Sequence, residues 1–275
     1  MIKITPNGGL CDRMVTFEST YLLAKQLNDS QLILEWKLNK ELNCPFEELF
    51  QPIPTVSITN IKVGEVSSRS ILKRIVRRLN KLYRKYIEHN EIINLDKLNV
   101  TPEFSMTDQL CNHYLKQRNK ITINGIYNNS ENCNFKLFKP TQLLEQKIDS
   151  IICLFTNDTI GVHLRRTDNL YAIKESPTSL FVEKMKDELR VNPDVTFYVA
   201  TDSAEELNSL ITLFGNRILY QKDCLRERNS INGIKSSLID LYSLSATKVV
   251  WGSYWSAFSF VASKIDNKKL LILRN

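Results

Sequence analysis

Glycine and proline are scarce, eight of each among 275 residues, and the rest of the composition is that of an ordinary globular chain rather than a linker or fibre. The three histidines are far apart, so a histidine-based metal centre is not expected. Six cysteines, at positions 11, 44, 111, 133, 153 and 224, contain no Cys-x-x-Cys pair. They read as scattered reduced thiols, not a disulfide frame or zinc site. There is no Asp-x-Asp, the usual carboxylate arrangement around a metal-held nucleotide diphosphate. Gly-x-Gly-x-x-Gly and the phosphate-loop lysine followed by Ser or Thr are missing as well. No apolar run is long enough to span a bilayer, and Met1-Ile2-Lys3-Ile4-Thr5-Pro6 lacks the apolar core of a signal peptide. A cytoplasmic location is therefore expected.

What is present alternates between two periods. Ile2 to Thr5 reads as a strand, Pro6-Asn7-Gly8-Gly9 as a turn, Arg13 to Leu27 as a helix, and Gln31 to Trp36 as the next strand. Residues 37–68 look irregular, and 90–140 are Asn-rich with one strand at Lys120 to Asn124. Beyond 140 the alternation is strict. Helices are expected at Thr141–Leu154, Leu180–Arg190, Ala204–Phe214, Ile231–Ser245 and Tyr254–Ser263. Strands are expected at Thr159–Leu164, Val195–Ala200, Arg217–Tyr220, Lys248–Trp251 and Leu270–Leu273. Such a β/α order predicts parallel sheets with helices on both faces. The natural assembly is two Rossmann-like domains, 1–140 and 141–275, with a cleft between them.

His163-Leu164-Arg165-Arg166-Thr167-Asp168 closes the apolar strand that begins at Thr159. Two guanidiniums and an imidazole at a strand's carboxyl end suit a diphosphate, because open α/β sheets bind ligands just outside those ends and an arginine fork matches phosphate oxygens. The alternative is a structural ion cluster in which Asp168 neutralises one arginine. Gly8 and Gly9 stand where a strand turns into a helix, a place that permits close approach to an anion; an ordinary tight turn explains them equally. Asp12 there complements the helix dipole. Asp240, beside Leu238, Ile239 and Leu241, can pair with the two donors of guanine, or be a solvated helix carboxylate. Trp251-Gly252-Ser253-Tyr254-Trp255-Ser256 offers hydroxyls to phosphate or a serine N-cap. Thr201 and Asp202 carry the same ambiguity.

Together these segments resemble the superfamily of GDP-fucose-dependent fucosyltransferases, which includes α1,6-, bacterial α1,2- and protein O-fucosyltransferases and the rhizobial nodulation enzymes. Gly161 to Asp168 is similar to the His-x-Arg-Arg-x-Asp motif in its α1,6-like form. Phe197 to Asp202, Asn229 to Ser245, Ser253 to Ser256 and Gly8 to Met14 resemble that superfamily's following strand, guanine-binding helix, phosphate-binding serine loop and glycine-rich first turn. The resemblance implies a GT-B-like α/β fold and an inverting, metal-independent transfer of L-fucose from GDP-fucose to a glycan hydroxyl, with no cofactor. It implies donor binding by Gly9, His163, Arg165, Arg166, Thr201, Asp202, Asp240, Ser253 and Ser256, with Arg165 stabilising the departing phosphate. Glu175 and Asp12 are the base candidates. Two departures stand out: Asn169 replaces the motif's lysine, and Glu175 falls two positions after the expected glutamate. Alternatives are a GDP-sugar-binding module or inactive homologue, and a transferase of another guanine-linked deoxysugar.

The net charge of +7 has one source. Arg69 to Lys85 holds eight basic residues and no acid; without them 29 basic residues face 30 acidic ones, a net of −1. Ile71, Leu72, Ile75, Val76, Leu79 and Leu82 give the same segment a helical apolar stripe. It is either a surface helix packed on its own domain or an attachment to an anionic membrane, at whose inner face a glycolipid acceptor would lie. Nucleic acid is not an expected partner, since no stacking platform or known motif accompanies the charge. At about 1 kcal/mol per basic residue near an anionic surface, membrane attachment predicts co-sedimentation with anionic vesicles that fades as salt is raised. Lys73, Arg77, Lys81 and Arg84 changed together to Gln should abolish it while GDP affinity is kept; a parent protein that ignores such vesicles at low salt leaves only the packed-helix reading.

Overall fold

The computed structural model describes residues 1–62, 92–94, 110, 111, 114, 121–126, 128, 130–227 and 229–275. The basic helix expected within 69–86 lies outside them. The described chain forms two compact units: Met1–Phe46 with Pro52–Cys133, and Glu47–Gln51 with Asn134–Asn275. Each contains a parallel sheet, as the alternating pattern predicts. Among the described residues no helix is long and apolar enough to cross a membrane.

In the first unit β1 (Ile2–Pro6) is followed by α1 (Leu10–Gln26), β2 (Leu32–Leu38), β3 (Val56–Lys62), β4 (Ile92–Asn94) and β5 (Ile121–Gly125). The sheet order is β3-β2-β1-β5-β4, every pair parallel. Along β2, Leu32, Leu34, Trp36 and Leu38 are buried while the residues between are half-buried, the period of two that made this strand legible. β3 was not expected. It is an edge strand whose Ser57, Thr59 and Asn60 break up the apolar signal.

Helix α1 starts three residues earlier than its apolar periodicity suggests. Gly9 is its N-cap, and Asp12 Oδ2 accepts the Gly9 N–H at 3.2 Å. Gly8 has φ +87°, and a Cβ there would strike Asp12, so glycine is required. Arg13, the expected first residue of the helix, is fully buried. Its Nε donates to the Gly8 carbonyl at 2.8 Å, Nη2 to Asn39 Oδ1 at 2.9 Å and Nη1 to the Lys37 carbonyl, while the guanidinium lies 5.3 Å from the Trp36 ring centroid. Burial pushes its pKa down to about 10 against the fields of Glu41 and Asp12.

The second unit runs α2 (Gln142–Ile152), β6 (Ile160–Leu164), α3 (Leu170–Glu175), α4 (Thr178–Val191), β7 (Phe197–Thr201), α5 (Ala204–Phe214), β8 (Ile218–Leu219), α6 (Ile231–Ser245), β9 (Val249–Ser253), α7 (Ala257–Ile265) and β10 (Lys269–Leu273). Its parallel sheet has the order β10-β9-β6-β7-β8. β6 and β7 are buried along their whole length, as central parallel strands covered on both faces must be. One face packs Phe181 and Met185 of α4 and Leu207 and Leu210 of α5 against Val162, Phe197 and Trp251. Residues 47–51 belong here too: Phe50 meets the Phe138 ring at 5.1 Å, and Thr141 N donates to the Leu49 carbonyl at 3.0 Å.

Helix α7 does not begin at Tyr254 as expected. Trp255 takes φ +55°, which no right-handed helix accommodates, so the helix begins after Ser256. It then lies directly on β9, where a Cβ at Gly252 would overlap Cβ and Oγ of Ser259. Gly252→Ala is expected to lower stability by about 1–3 kcal/mol in urea denaturation. Added Ser259→Gly should cost less than its own single effect, the mark of a shared contact; strict additivity would remove the close-approach explanation.

Candidate functional site

Chain order around the second sheet decides where a ligand can sit. From β6 the chain steps to β7 and β8 on one side, then returns to β9 and β10 on the other. The connections leaving β6 and β9 diverge, and the crevice outside such a switch point is where open α/β sheets bind ligands. Both of the loops picked out from sequence, 163–168 and 253–256, leave those strands.

The two loops are tied together by their own polar groups. Ser253 Oγ accepts the Arg165 N–H at 3.1 Å and donates to the His163 carbonyl at 3.3 Å. Asp202, just past β7, accepts the Arg166 N–H at 2.6 Å on Oδ1 and the Thr167 hydroxyl at 2.7 Å on Oδ2. Thr201 is buried; its Oγ1 accepts the Ser203 N–H at 3.2 Å. His163 is buried and stacks on Phe258 of α7, centroids 4.8 Å apart.

The two arginines behave differently. Arg166 turns inward: Nε donates to Thr178 Oγ1 at 3.0 Å, Nη1 to the Arg165 carbonyl at 2.9 Å and Nη2 to the Ser176 carbonyl at 2.6 Å, with the Phe181 ring 5.7 Å away. Burial lowers its pKa, with Glu206 and Asp202 opposing. Arg165 stays at the surface and forks onto Asp168, Nε to Oδ1 and Nη2 to Oδ2, both 3.0 Å. The ion pair weighed as an alternative is thus present, yet it uses only two of five guanidinium donors. Nη1 of Arg165 has no partner among the described residues. Ser256, the N-cap of α7, has a buried Oγ that likewise bonds to nothing among them.

Asp240 lies apart from these loops. It is not the solvated helix carboxylate considered from sequence but is buried within α6. Tyr198 OH donates to Oδ1 at 2.5 Å, and Cys224 Sγ approaches Oδ2 at 3.7 Å. Burial pushes the carboxyl up to about 6, against the Tyr198 hydrogen bond and the charge of Arg226. Burial and Asp240 together push the Cys224 thiol up to about 12. Arg226 joins this group to the loop network, its Nε donating to the Thr201 carbonyl at 3.1 Å. The apolar neighbours of Asp240 were a legible sign of burial. Tyr198, Cys224 and Arg226 come from separate elements, and no spacing announces their meeting.

Gly9 and Asp12 belong to the first unit, where Asp12 closes the start of α1. Glu175 ends α3 in the second unit, half-buried, and its carboxylate takes part in no hydrogen bond or ion pair among the described residues. Asn169, where the resembling motif has lysine, caps α3: Oδ1 accepts the Ala172 N–H at 3.0 Å and Nδ2 donates to the Trp255 carbonyl at 3.1 Å. Among the described residues no three His, Cys, Asp or Glu side chains converge as metal ligands would.

No family model and no curated protein matches the sequence. Solved structures do match its fold. NodZ alpha-1,6-fucosyltransferase soaked with GDP-fucose aligns over 96% of this chain and 92% of its own at 20% identity, TM-score 0.57; NodZ is a fucosyltransferase from Bradyrhizobium. POFUT1 in complex with GDP-fucose aligns over 99% and 98% at 10% identity, TM-score 0.60. A mutant of Arabidopsis thaliana FUT1 in complex with GDP covers 99% of this chain and 70% of its own at 12% identity, TM-score 0.60. The chain therefore has the fold that these fucosyltransferases share, with two Rossmann-like parallel sheets.

The buried Asp240 makes a pH prediction. Its folded-state pKa lies above the ordinary value of 3.8, so the stability linked to its protonation is present below about pH 4 and is lost as pH rises through about 6. The rise from 3.8 to about 6 corresponds to about 3 kcal/mol at most. Asp240→Asn should match the parent near pH 4 and exceed it in denaturation midpoint above pH 7. Parallel pH profiles for the two proteins would contradict the burial penalty.

Proposed function

We propose that this protein is an inverting glycosyltransferase that moves L-fucose from GDP-fucose to a glycan hydroxyl, without a metal. The observation that carries the proposal is the pair of polar groups left without a partner among the described residues at the β6/β9 switch point, Arg165 Nη1 and the buried Ser256 Oγ. Fold neighbours that bind GDP or GDP-fucose support it. In the reaction the acceptor oxygen bonds to the anomeric carbon as the bond from that carbon to the β-phosphate oxygen breaks, and the electron pair leaves with GDP. Arg165 stabilises the charge that grows on that phosphate, a contribution largest in the transition state. Asp168 holds the guanidinium in place beforehand. Ser256 and the first N–H groups of α7 receive the phosphates.

Asp240 serves guanine: the long contact from Cys224 is weak, and the N1–H and N2 amino donors replace it with stronger bonds to a carboxylate. Arg166, Asp202, His163, Thr201 and Ser253 hold the loops in register. Glu175 takes the acceptor proton; Asp12 is already committed to Gly9. A cytoplasmic enzyme acting at the inner face of a membrane, on a lipid-linked glycan in surface polysaccharide synthesis, fits the basic segment 69–86. The ion pair between Arg165 and Asp168 favours a second reading, a module that binds the GDP-sugar without transferring it.

The test is GDP release from GDP-fucose with and without a glycan panel, in EDTA. Acceptor-dependent GDP release that survives chelation is expected; no turnover with any acceptor, despite GDP binding, leaves the binding module. Arg165→Lys keeps charge but loses the fork, so kcat should fall by roughly two orders of magnitude. Asp240→Ala should weaken GDP binding by about 1–3 kcal/mol, and equal affinity of the parent for GDP and UDP would sink the guanine assignment.

A further inference from the structure

Three large apolar side chains stand out from the surface beside the loop 163–168: Leu170 is 79% exposed, Tyr171 65% and Trp255 69%. Tyr171 is the second residue of α3, and Trp255 immediately precedes Ser256. Their rings are neighbours, centroids 5.9 Å apart at 35°, and Tyr254 meets Trp255 edge-on at the same distance. An exposed aromatic pair of this kind loses contact with water only when something covers it.

The pair is held rigidly. Trp255 sits at φ +55°, a costly backbone for a bulky residue that persists only where its surroundings impose it. Asn169 supplies that restraint, closing α3 with its carbonyl and holding the Trp255 carbonyl with its amide. Lysine, which the resembling motif has at this position, carries no acceptor and could not do both. The far side is fixed as well: Ser176 Oγ accepts the Tyr254 N–H at 2.8 Å, and the Ser176 carbonyl takes Arg166 Nη2. One polar side chain thus couples the switch-point loop to two exposed rings.

We propose that Tyr171 and Trp255, locked by Asn169, form a stacking platform for a pyranose ring of the acceptor glycan. This rests on the glycosyltransferase reading above. The C–H face of a pyranose is a flat apolar surface edged with hydroxyls; it suits aromatic faces bordered by an amide. The platform follows the loop bearing Arg165 and directly precedes Ser256 in the chain, which puts it at the rim of the donor site.

Of the three tryptophans, Trp36 and Trp251 are buried and Trp255 is exposed, so acrylamide quenching of the full chain reports on Trp255. Chitotetraose, cellotetraose and lactose are the probes, each with and without GDP, and calorimetry with GDP alone measures the donor site separately. At least one saccharide should protect Trp255 from quenching. By saturation-transfer NMR, Trp255→Ala and Tyr171→Ala should lose roughly tenfold in affinity for it, the scale of one aromatic contact, and Trp255→Phe should keep most of it. GDP affinity should be unchanged in all three. No protection by any of the saccharides, or parental saccharide affinity in Trp255→Ala, overturns the platform even if GDP binds. Protection in a protein that does not bind GDP upholds the platform and strikes the donor reading instead.

Discussion

Each unit depends on a buried guanidinium that bonds mainly to backbone carbonyls rather than to acids. Arg166 spends its donors on the Arg165 and Ser176 carbonyls and the Thr178 hydroxyl. Arg13 spends its own on the Gly8 and Lys37 carbonyls and the Asn39 side chain. A charge taken out of water costs several kcal/mol unless its hydrogen bonds are made good, so each arginine forces the loops around it into the one arrangement that satisfies it. In the second unit that arrangement sets the path from β6 through α3, and with it the direction of Arg165 and the position of Asn169. The arginine at the surface owes its orientation to the one turned inward.

The site follows from strand order more than from any single residue. Because β6 lies between β7 and β9, its loop and the β9 loop part company outside the sheet, the place where open α/β sheets bind ligands. Ser253 and Asp202 close that region from both sides with side-chain bonds to main chain. They consume the hydroxyl and carboxylate that would otherwise face a ligand. What remains outward is a short set, part of the Arg165 fork and the two exposed rings, with the unpartnered Ser256 hydroxyl buried behind them. A polar residue near a ligand site can thus be structural or receptive, and the hydrogen-bond partners tell which.

Asp240 shows the same division at the level of charge. Leu238 to Leu241 are buried all round their turn of the helix, Asp240 among them, yet the cost of the carboxylate depends on Tyr198 from a strand and Cys224 and Arg226 from a loop. Those partners reduce the burial penalty without cancelling it. New donors to such a desolvated carboxylate are worth more than donors to a hydrated one.

The elements past residue 140 were legible because their periods are clean: α5 and α6 have the limits their apolar spacing predicts, and β6 and β7 are the apolar runs that central parallel strands require. β3 was hidden because an edge strand can carry Ser, Thr and Asn without penalty. α7 begins later than its apolar spacing suggests, because that spacing carries no sign of the left-handed Trp255. The β/α alternation, the two parallel sheets and the polar residues at the strand ends follow from local period and composition alone. Which arginine faces inward, which hydroxyls are spent and which aromatics stay exposed are settled by long-range packing instead. Those outcomes depend on partners far apart in the chain, and a buried hydrogen bond exists only when both ends have been brought within about 3 Å of each other.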